Sequence, residues 1–206
     1  MCIRDRDEAE ESGSLKPDFA APILERFGFD RTMWVLAATI QEDPISSEYT
    51  RDNAFWALGV RPTDKSLRRD YCVRHNPSLI NELTDQVRAA WDALGLFSRS
   101  HCESEMDGQL DYTGKVLILK GSILKDQYKT PDDQLFLAES GFGCAPNARG
   151  RKIYGKFLKD GEDTHFNRQD FIGILKEEHL PRWAAERLKE WNGPEAAESD
   201  GITMQP

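Results

Sequence analysis

The residue types best suited to chemistry in this 206-residue chain lie between positions 139 and 161, in the stretch ESGFGCAPNARGRKIYGKFLKDG. Eleven consecutive positions within it carry five cations: Arg149, Arg151, Lys152, Lys156 and Lys159. Glycines, a cysteine and a proline come just before these cations. Such a stretch is compatible with a phosphate-binding loop, a nucleic-acid contact or the tight corner of a small β-domain.

The spacing excludes the two common phosphate-binding motifs. A P-loop requires a second glycine five residues after the first, followed by Lys and then Ser or Thr, but Ala148 stands five residues after Gly143. A dinucleotide fingerprint requires glycine three residues after Gly143, where Pro146 stands. The sequence therefore predicts no nucleotide cofactor.

A structural role explains the glycines. Gly141 and Gly143 allow backbone conformations that other residues avoid, Pro146 stiffens a bend, and Asn147 tolerates positive φ. The stretch is therefore predicted to form a long loop between two strands.

The cations that follow this loop indicate contact with a partner. On a strand, Lys152, Tyr154 and Lys156 would share one face, while Ile153 and Phe157 would point into the core. A basic strand with an exposed tyrosine suits single-stranded nucleic acid and an acidic protein surface equally well. An edge strand protected by lysines is the structural alternative. The predicted partner-binding residues are Arg149, Arg151, Lys152, Tyr154, Lys156 and Lys159.

Two sets of residues leave an enzymatic function open. Nearby basic residues could lower the pKa of the Cys144 thiol, although no general base for it is evident. Asp163, His165 and Asp170 lie within eight positions and could form an acid–base set. The four cysteines and four histidines show no zinc-ligand spacing, so no metal site is predicted.

The overall charge restricts the classes of partner. The formal net charge is -9, which disfavours non-specific binding to nucleic acid and is compatible with a protein that mimics DNA. No apolar run approaches the roughly 18 residues of a membrane span, and no signal peptide is evident. The sequence predicts a cytoplasmic protein that does not contact membranes; it makes no prediction of oligomeric state.

Periodicity predicts an α+β fold, with a helical N-terminal domain followed by a small antiparallel sheet or half-open barrel and one C-terminal helix. Apolar residues recur at helical spacing in NPSLINELTDQVRAAWDALGLF, whereas strand patterns begin at KVLILKGSIL and a hairpin turns at Asp160-Gly161. The predicted boundaries are a lead-in at 1–18, a helical domain at 19–97, a linker at 98–113, an α+β domain at 114–193 and a disordered tail at 194–206.

The first residues have an unusual composition. MCIRDR resembles the conceptual translation of a transposon end used in preparing sequencing libraries, so the native start is expected to lie elsewhere. The acidic stretch that follows has few apolar residues and is predicted to be disordered.

Three stretches in order, FGFDRTMWVLAATIQ, YTRDNAFWA and VRHNPSLINELTDQVRAAW, resemble a domain-of-unknown-function family of mobile elements in gut Firmicutes. The resemblance covers about residues 19–97. The chain departs from the family pattern at Ala38, which replaces an asparagine, near Asn76, where a residue is inserted, and at Ser78, which replaces a glycine. The positions that match are Phe27, Gly28, Arg31, Val35, Leu36, Ala37, Thr39, Ile40, Gln41, Thr50, Arg51, Asp52, Asn53, Trp56 and Ala57.

The resemblance implies a genomic setting and no catalytic activity, and the second half of the chain is similar to a companion module of that setting. The expected function is a non-catalytic accessory protein of a mobile element that binds nucleic acid or a host protein. One alternative is an acidic anti-defence inhibitor of a host DNA-binding enzyme. The other is a hydrolase or transferase that uses Cys144 or the Asp163, His165 and Asp170 set.

Overall fold

The computed structural model describes residues 10–11, 14–42, 48–60 and 76–192. The chain divides into two compact units, residues 1–95 and residues 96–206. Helices dominate the described part of the first unit, whereas the described part of the second contains a six-stranded sheet and one α-helix.

The first unit contains a short strand pair followed by helices. Its elements are β1 (Glu10–Glu11), β2 (Ser14–Leu15), α1 (Ala20–Phe27), α2 (Phe29–Glu42), α3 (Arg51–Gly59) and α4 (Pro77–Asp92). Gly28 ends α1 with a φ of 75°, which places it in the region that favours glycine and allows α2 to begin at once.

Side-chain caps define the starts of two helices. The Thr50 side chain accepts a hydrogen bond from the Asn53 N–H at the start of α3. The Asn76 side chain does the same for the Ser78 N–H at the start of α4, where proline occupies the first turn. The apolar faces of the helices then pack into one core, which contains Ala20, Leu36, Ala37, Ile40, Ala57, Ile80 and Val87.

The second unit is built on an open antiparallel sheet. Its elements are β3 (Cys102–Glu105), β4 (Val116–Leu119), β5 (Leu135–Ser140), β6 (Lys152–Phe157), β7 (Asp163–Asn167), β8 (Phe171–Leu175) and α5 (Arg182–Asn192). The spatial order is β3-β8-β4-β5-β6-β7, so β3 and β7 are the edges. The α+β fold predicted from the sequence is confirmed, with an open sheet.

Both faces of this sheet contribute to apolar clusters. On one face, Leu117, Phe136 and Ile153 pack with residues of the connecting loops, including Tyr112 and Cys144. On the other face, a second set of residues packs with α5: Ile118, Leu135, Leu137 and Leu175 from the strands, and Trp183, Ala184, Leu188 and Trp191 from the helix. Loops therefore cover one face and α5 covers part of the other.

Two segments differ from their predicted roles. Residues 98–113, predicted as a linker, contribute the edge strand β3 and the fully buried Tyr112. Within the predicted lead-in, the Leu15 N–H donates to Glu82 Oε2 at 2.6 Å, which ties β2 to α4. The rest of the lead-in, at 1–9 and 12–13, and the predicted tail lie outside the described residues.

Candidate interaction surface

The loop between β5 and β6 places the cations along the sheet. Gly141 and Asn147 have φ values of 108° and 57°, in the left-handed region. Gly143 does not, but its N–H donates to the Lys152 carbonyl at 2.7 Å, and a Cβ there would lie 2.5 Å from the Arg151 carbonyl oxygen. The glycine thus allows the loop to lie against the start of β6. Pro146 lies exposed near the tip.

Arg168, in the turn after β7, binds this loop through hydrogen bonds to its backbone. Its Nε donates to the Gly143 carbonyl at 2.9 Å, and one terminal nitrogen donates to the Ala145 carbonyl at 3.3 Å. The guanidinium also lies 5.8 Å from the centre of the Tyr112 ring. The arginine therefore links two loops that the sequence separates widely.

Replacing Arg168 by alanine should destabilise the second unit by about 1–2 kcal/mol, because the loop carbonyls lose a charged donor. Urea unfolding measures the loss, and limited proteolysis should cut the variant faster between 141 and 150. Arg182→Ala is the matched control, because Arg182 is exposed and, among the described residues, forms an ion pair only with Glu186 in the same helix. Equal stabilities of the two variants would contradict this role.

The β6–β7 register determines which side chains share the open face. Lys152, Tyr154 and Lys156 of β6 lie opposite Asn167, His165 and Asp163 of β7. Side chains alternate along each strand, so all six are on one face. Five of them are exposed and Lys156 is partly buried.

Two of the predicted cations have internal partners. Lys156 Nζ lies 2.6 Å from Glu139 Oε1 and 4.7 Å from the centre of the Trp191 ring. Lys159 Nζ lies 2.9 Å from both carboxylate oxygens of Asp133, and this hydrogen bond raises the pKa of Lys159. Their charges are largely balanced within the unit, so they contribute little to attracting a partner.

The other three cations remain available. Arg149, Arg151 and Lys152 are exposed, and none of them forms an ion pair with a residue that the structure describes. Arg151 has a long contact of 3.4 Å with Gln169 Oε1. Lys152 Nζ lies 3.4 Å from His165 Nε2.

Aromatic side chains accompany these free cations. The Tyr154 and His165 rings lie 5.2 Å apart at 35°, and 46% of Tyr154 is exposed. Phe142 in the loop is 77% exposed. Neither His165 nor Phe142 is identified as a partner contact by sequence alone. We give the name cationic patch to these exposed residues of β6, β7 and the loop before β6, namely Phe142, Arg149, Arg151, Lys152, Tyr154 and His165. Within it, Lys152, Tyr154 and His165 share one face of the sheet.

The candidate catalytic residues have structural contacts instead. Cys144 is 2% exposed, its Sγ donates to the Ser140 carbonyl at 3.1 Å, and burial raises the pKa of the thiol. Asp170 accepts the Asn167 N–H at 2.7 Å in a short 3₁₀ turn, whereas Asp163 and His165 project from β7. This geometry favours neither a thiolate nucleophile nor a three-residue acid–base set.

Among the residues that the structure describes, no three metal-ligating side chains converge. Within that same part of the chain, no helix has both the length and the apolar character needed to cross a bilayer.

Comparison with known proteins identifies one family. Residues 6–92 match the family described as Protein of unknown function (DUF3849). No curated protein and no solved structure matches the chain significantly. The family match covers the helical unit, whereas the cationic patch belongs to the second unit.

Proposed function

We propose that the chain binds single-stranded nucleic acid through the cationic patch, as a non-catalytic accessory protein of a mobile element. The observation that carries the binding proposal is the exposed Tyr154–His165 ring pair, which lies beside Lys152, a cation without a carboxylate partner among the described residues. Rings on an open strand beside free cations supply both stacking and phosphate attraction.

The aromatic part of the patch favours a single strand over a duplex. Unpaired bases can stack on exposed rings, whereas the bases of a duplex are already stacked on each other. Tyr154 exposes nearly half of its surface and lies on a strand, so the sheet holds the ring in place. A duplex would meet only the cations.

The charge of the remaining chain limits the size of the binding site. The net charge of -9 repels a phosphate backbone everywhere except near a local excess of cations. Neutralisation of three phosphates by the three free cations corresponds, for a single strand, to a salt slope near -2. Binding is therefore expected to be modest and to weaken steadily as salt rises.

Fluorescence anisotropy with labelled dT12 and rU12 tests the proposal. Lys152→Glu should weaken binding about tenfold or more, and Tyr154→Ala should weaken it by about five- to 100-fold, the usual range for losing one stacked base. Arg182→Glu on α5 is the matched control, because it makes the same charge change outside the patch.

The expected result is binding that prefers single strands, responds to salt and is lost selectively in the two patch variants. Equal effects of Lys152→Glu and Arg182→Glu would contradict the proposal, as would equal affinity for single strands and duplex. If the patch captured an acidic host protein and bound no oligonucleotide, the partner would be a protein and not a nucleic acid.

The mobile-element part of the proposal rests on the resemblance of residues 19–97. It predicts that conjugation or integration genes flank the gene for this chain. It is tested by sequencing that DNA; housekeeping genes on both sides would contradict this setting without affecting the binding test.

A further inference from the structure

The edge strand β7 presents backbone hydrogen-bonding groups to solvent. The Phe157 N–H donates to the Glu162 carbonyl at 3.1 Å, and the Arg168 N–H donates to the Arg151 carbonyl at 2.7 Å. Hydrogen-bonded positions alternate in an antiparallel ladder, so positions 162, 164, 166 and 168 face β6. The backbone groups of Asp163, His165 and Asn167 therefore point away from the sheet.

The free part of this edge is two residues long. The Asn167 N–H is already bonded to Asp170 Oδ2. By contrast, the N–H and carbonyl groups of Asp163 and His165 have no partner among the residues that the structure describes. Both side chains are exposed, so these four backbone groups are open to another strand.

The two edges of the sheet differ in how they are protected. β3 carries Glu103 and Glu105, and its pairing with β8 includes a register shift. Over five residues, β7 contains no proline, lysine or arginine, and its pairing with β6 is regular throughout. Charges, bulges and prolines are the usual devices that prevent edge pairing, and β7 has only Asp163.

We propose that β7 pairs antiparallel with β7 of a second copy of this chain, centred on Thr164. This register places Asp163 opposite His165 of the second copy, and the reverse. Four N–H to carbonyl bonds then form, and they use all four free groups. The carboxylate faces an imidazole across the interface, which is a favourable cross-strand pair.

The two neighbouring registers are less suitable. Centring the pair on His165 would require the Asn167 N–H, which Asp170 already holds. Centring it on Asp163 would place two carboxylates directly opposite each other, which is destabilising. The free groups and the charges thus select the same register.

This inference goes beyond the proposed function and does not depend on it. A two-fold axis perpendicular to the sheet would place Tyr154 and His165 of both copies on one face. Two cationic patches would then lie on a continuous sheet, and a strand of nucleic acid could contact both.

Sedimentation velocity over a range of protein concentrations, without nucleic acid, tests the inference. The wild-type chain should show a reversible monomer–dimer equilibrium. His165→Pro removes an outward N–H from each copy, and so two of the four bonds, but leaves the β6–β7 bonds intact. Dimer association should become about 30-fold weaker.

An exchange of side chains tests the register. His165→Asp would place two carboxylates opposite each other and should weaken the dimer, whereas the double variant Asp163→His/His165→Asp should restore it. The double variant has the composition of the wild type and is therefore the matched control. Circular dichroism verifies that each variant folds.

Disulfide trapping gives a readout that does not depend on those variants. In the proposed register the two Thr164 residues form a pair without mutual hydrogen bonds, with Cα atoms about 4.5 Å apart. Thr164→Cys should therefore form a crosslink between the two residues 164 on mild oxidation. A monomer at every concentration, an unchanged dimer in His165→Pro, or no crosslink would overturn the proposal.

Discussion

Gly155→Ala is expected to destabilise the second unit by at least about 3 kcal/mol. Gly155 lies in β6 between β5 and β7, where a Cβ would stand 1.9 Å from the Leu137 carbonyl oxygen and 2.9 Å from a Phe136 ring carbon. The carbonyl belongs to the neighbouring strand, so it cannot move away without disrupting the β5–β6 pairing. Overpacking of this kind exceeds what a side-chain rotation can relieve.

Gly59→Ala is the matched control for this substitution. Gly59 ends α3, and a Cβ there meets no atom within 4 Å. Alanine should be neutral or slightly stabilising at that position, by up to about 1 kcal/mol. Hydrogen exchange measured by mass spectrometry separates the two outcomes, because Gly155→Ala should speed exchange in peptides from 135–157. Unchanged protection there would show that the strands accept the methyl group.

Gly155 also bears on the proposed binding, because it lies between Tyr154 and Lys156 on the strand that carries the cationic patch. Its lack of a side chain allows β5 to approach β6 closely. This pairing holds β6 in place and thereby positions Tyr154 on the other face of the strand. A variant that loosens β6 should therefore weaken oligonucleotide binding as well. The stability test comes first, so that weaker binding caused by a loosened β6 is not mistaken for the loss of a direct contact with the oligonucleotide.

Local sequence patterns predict the fold class and several element ends. Thr50 and Asn76 cap their helices, as their types and positions indicate. The strand β3 was missed because CESE has no apolar alternation, and its place in the sheet depends on pairing with β8. Tyr112 was missed for a similar reason, since loop residues that bury one ring leave no periodic signal.

The register of the hairpin shows where local patterns fail. A two-residue turn at Asp160-Gly161 would pair Tyr154 with Asn167. The observed loop is longer, since the Phe157 N–H bonds to the Glu162 carbonyl, and Tyr154 lies opposite His165 instead. The ring pair of the cationic patch therefore depends on a two-residue difference in loop length.

The cations were predicted as a set because they are close in sequence. The partners that balance two of them are distant: Glu139 precedes Lys156 by 17 positions, and Asp133 precedes Lys159 by 26. Only strand pairing and the β4–β5 connection bring those carboxylates near. Which cations remain free for a partner is thus a property of the fold.

Asn53→Ala is expected to destabilise the helical unit by about 3 kcal/mol. Asn53 is fully buried, and its Nδ2 donates to Asn81 Oδ1 at 3.2 Å and to Asp85 Oδ1 at 3.0 Å. Its Oδ1 accepts from Arg88 at 2.6 Å. Alanine would leave the partner groups on α4 without these hydrogen bonds. Most of the lost stability comes from buried polar groups that no longer have a partner.

Asp52→Ala is the matched control, because Asp52 is the exposed neighbour of Asn53 in the first turn of α3. Its loss should cost about 0.5 kcal/mol, through the helix dipole alone. Hydrogen exchange of peptides from 51–59 and 77–92 measures both variants within the helical unit. The double variant Asn53→Ala/Arg88→Ala should lose less stability than the sum of the two single variants, because both remove the same bond.

The hydrogen bonds of Asn53 give a structural role to part of the family-matched region. Asn53 lies in the family-matched region, within the stretch Thr50 to Asn53 that resembles the family pattern. Its contacts join the start of α3 to the middle of α4, and Asn81 extends them to the Thr50 N–H at 3.1 Å. This network holds two helices in register through a polar core. An Asn53→Ala variant as stable as the wild type would show that this network does not stabilise the helical unit.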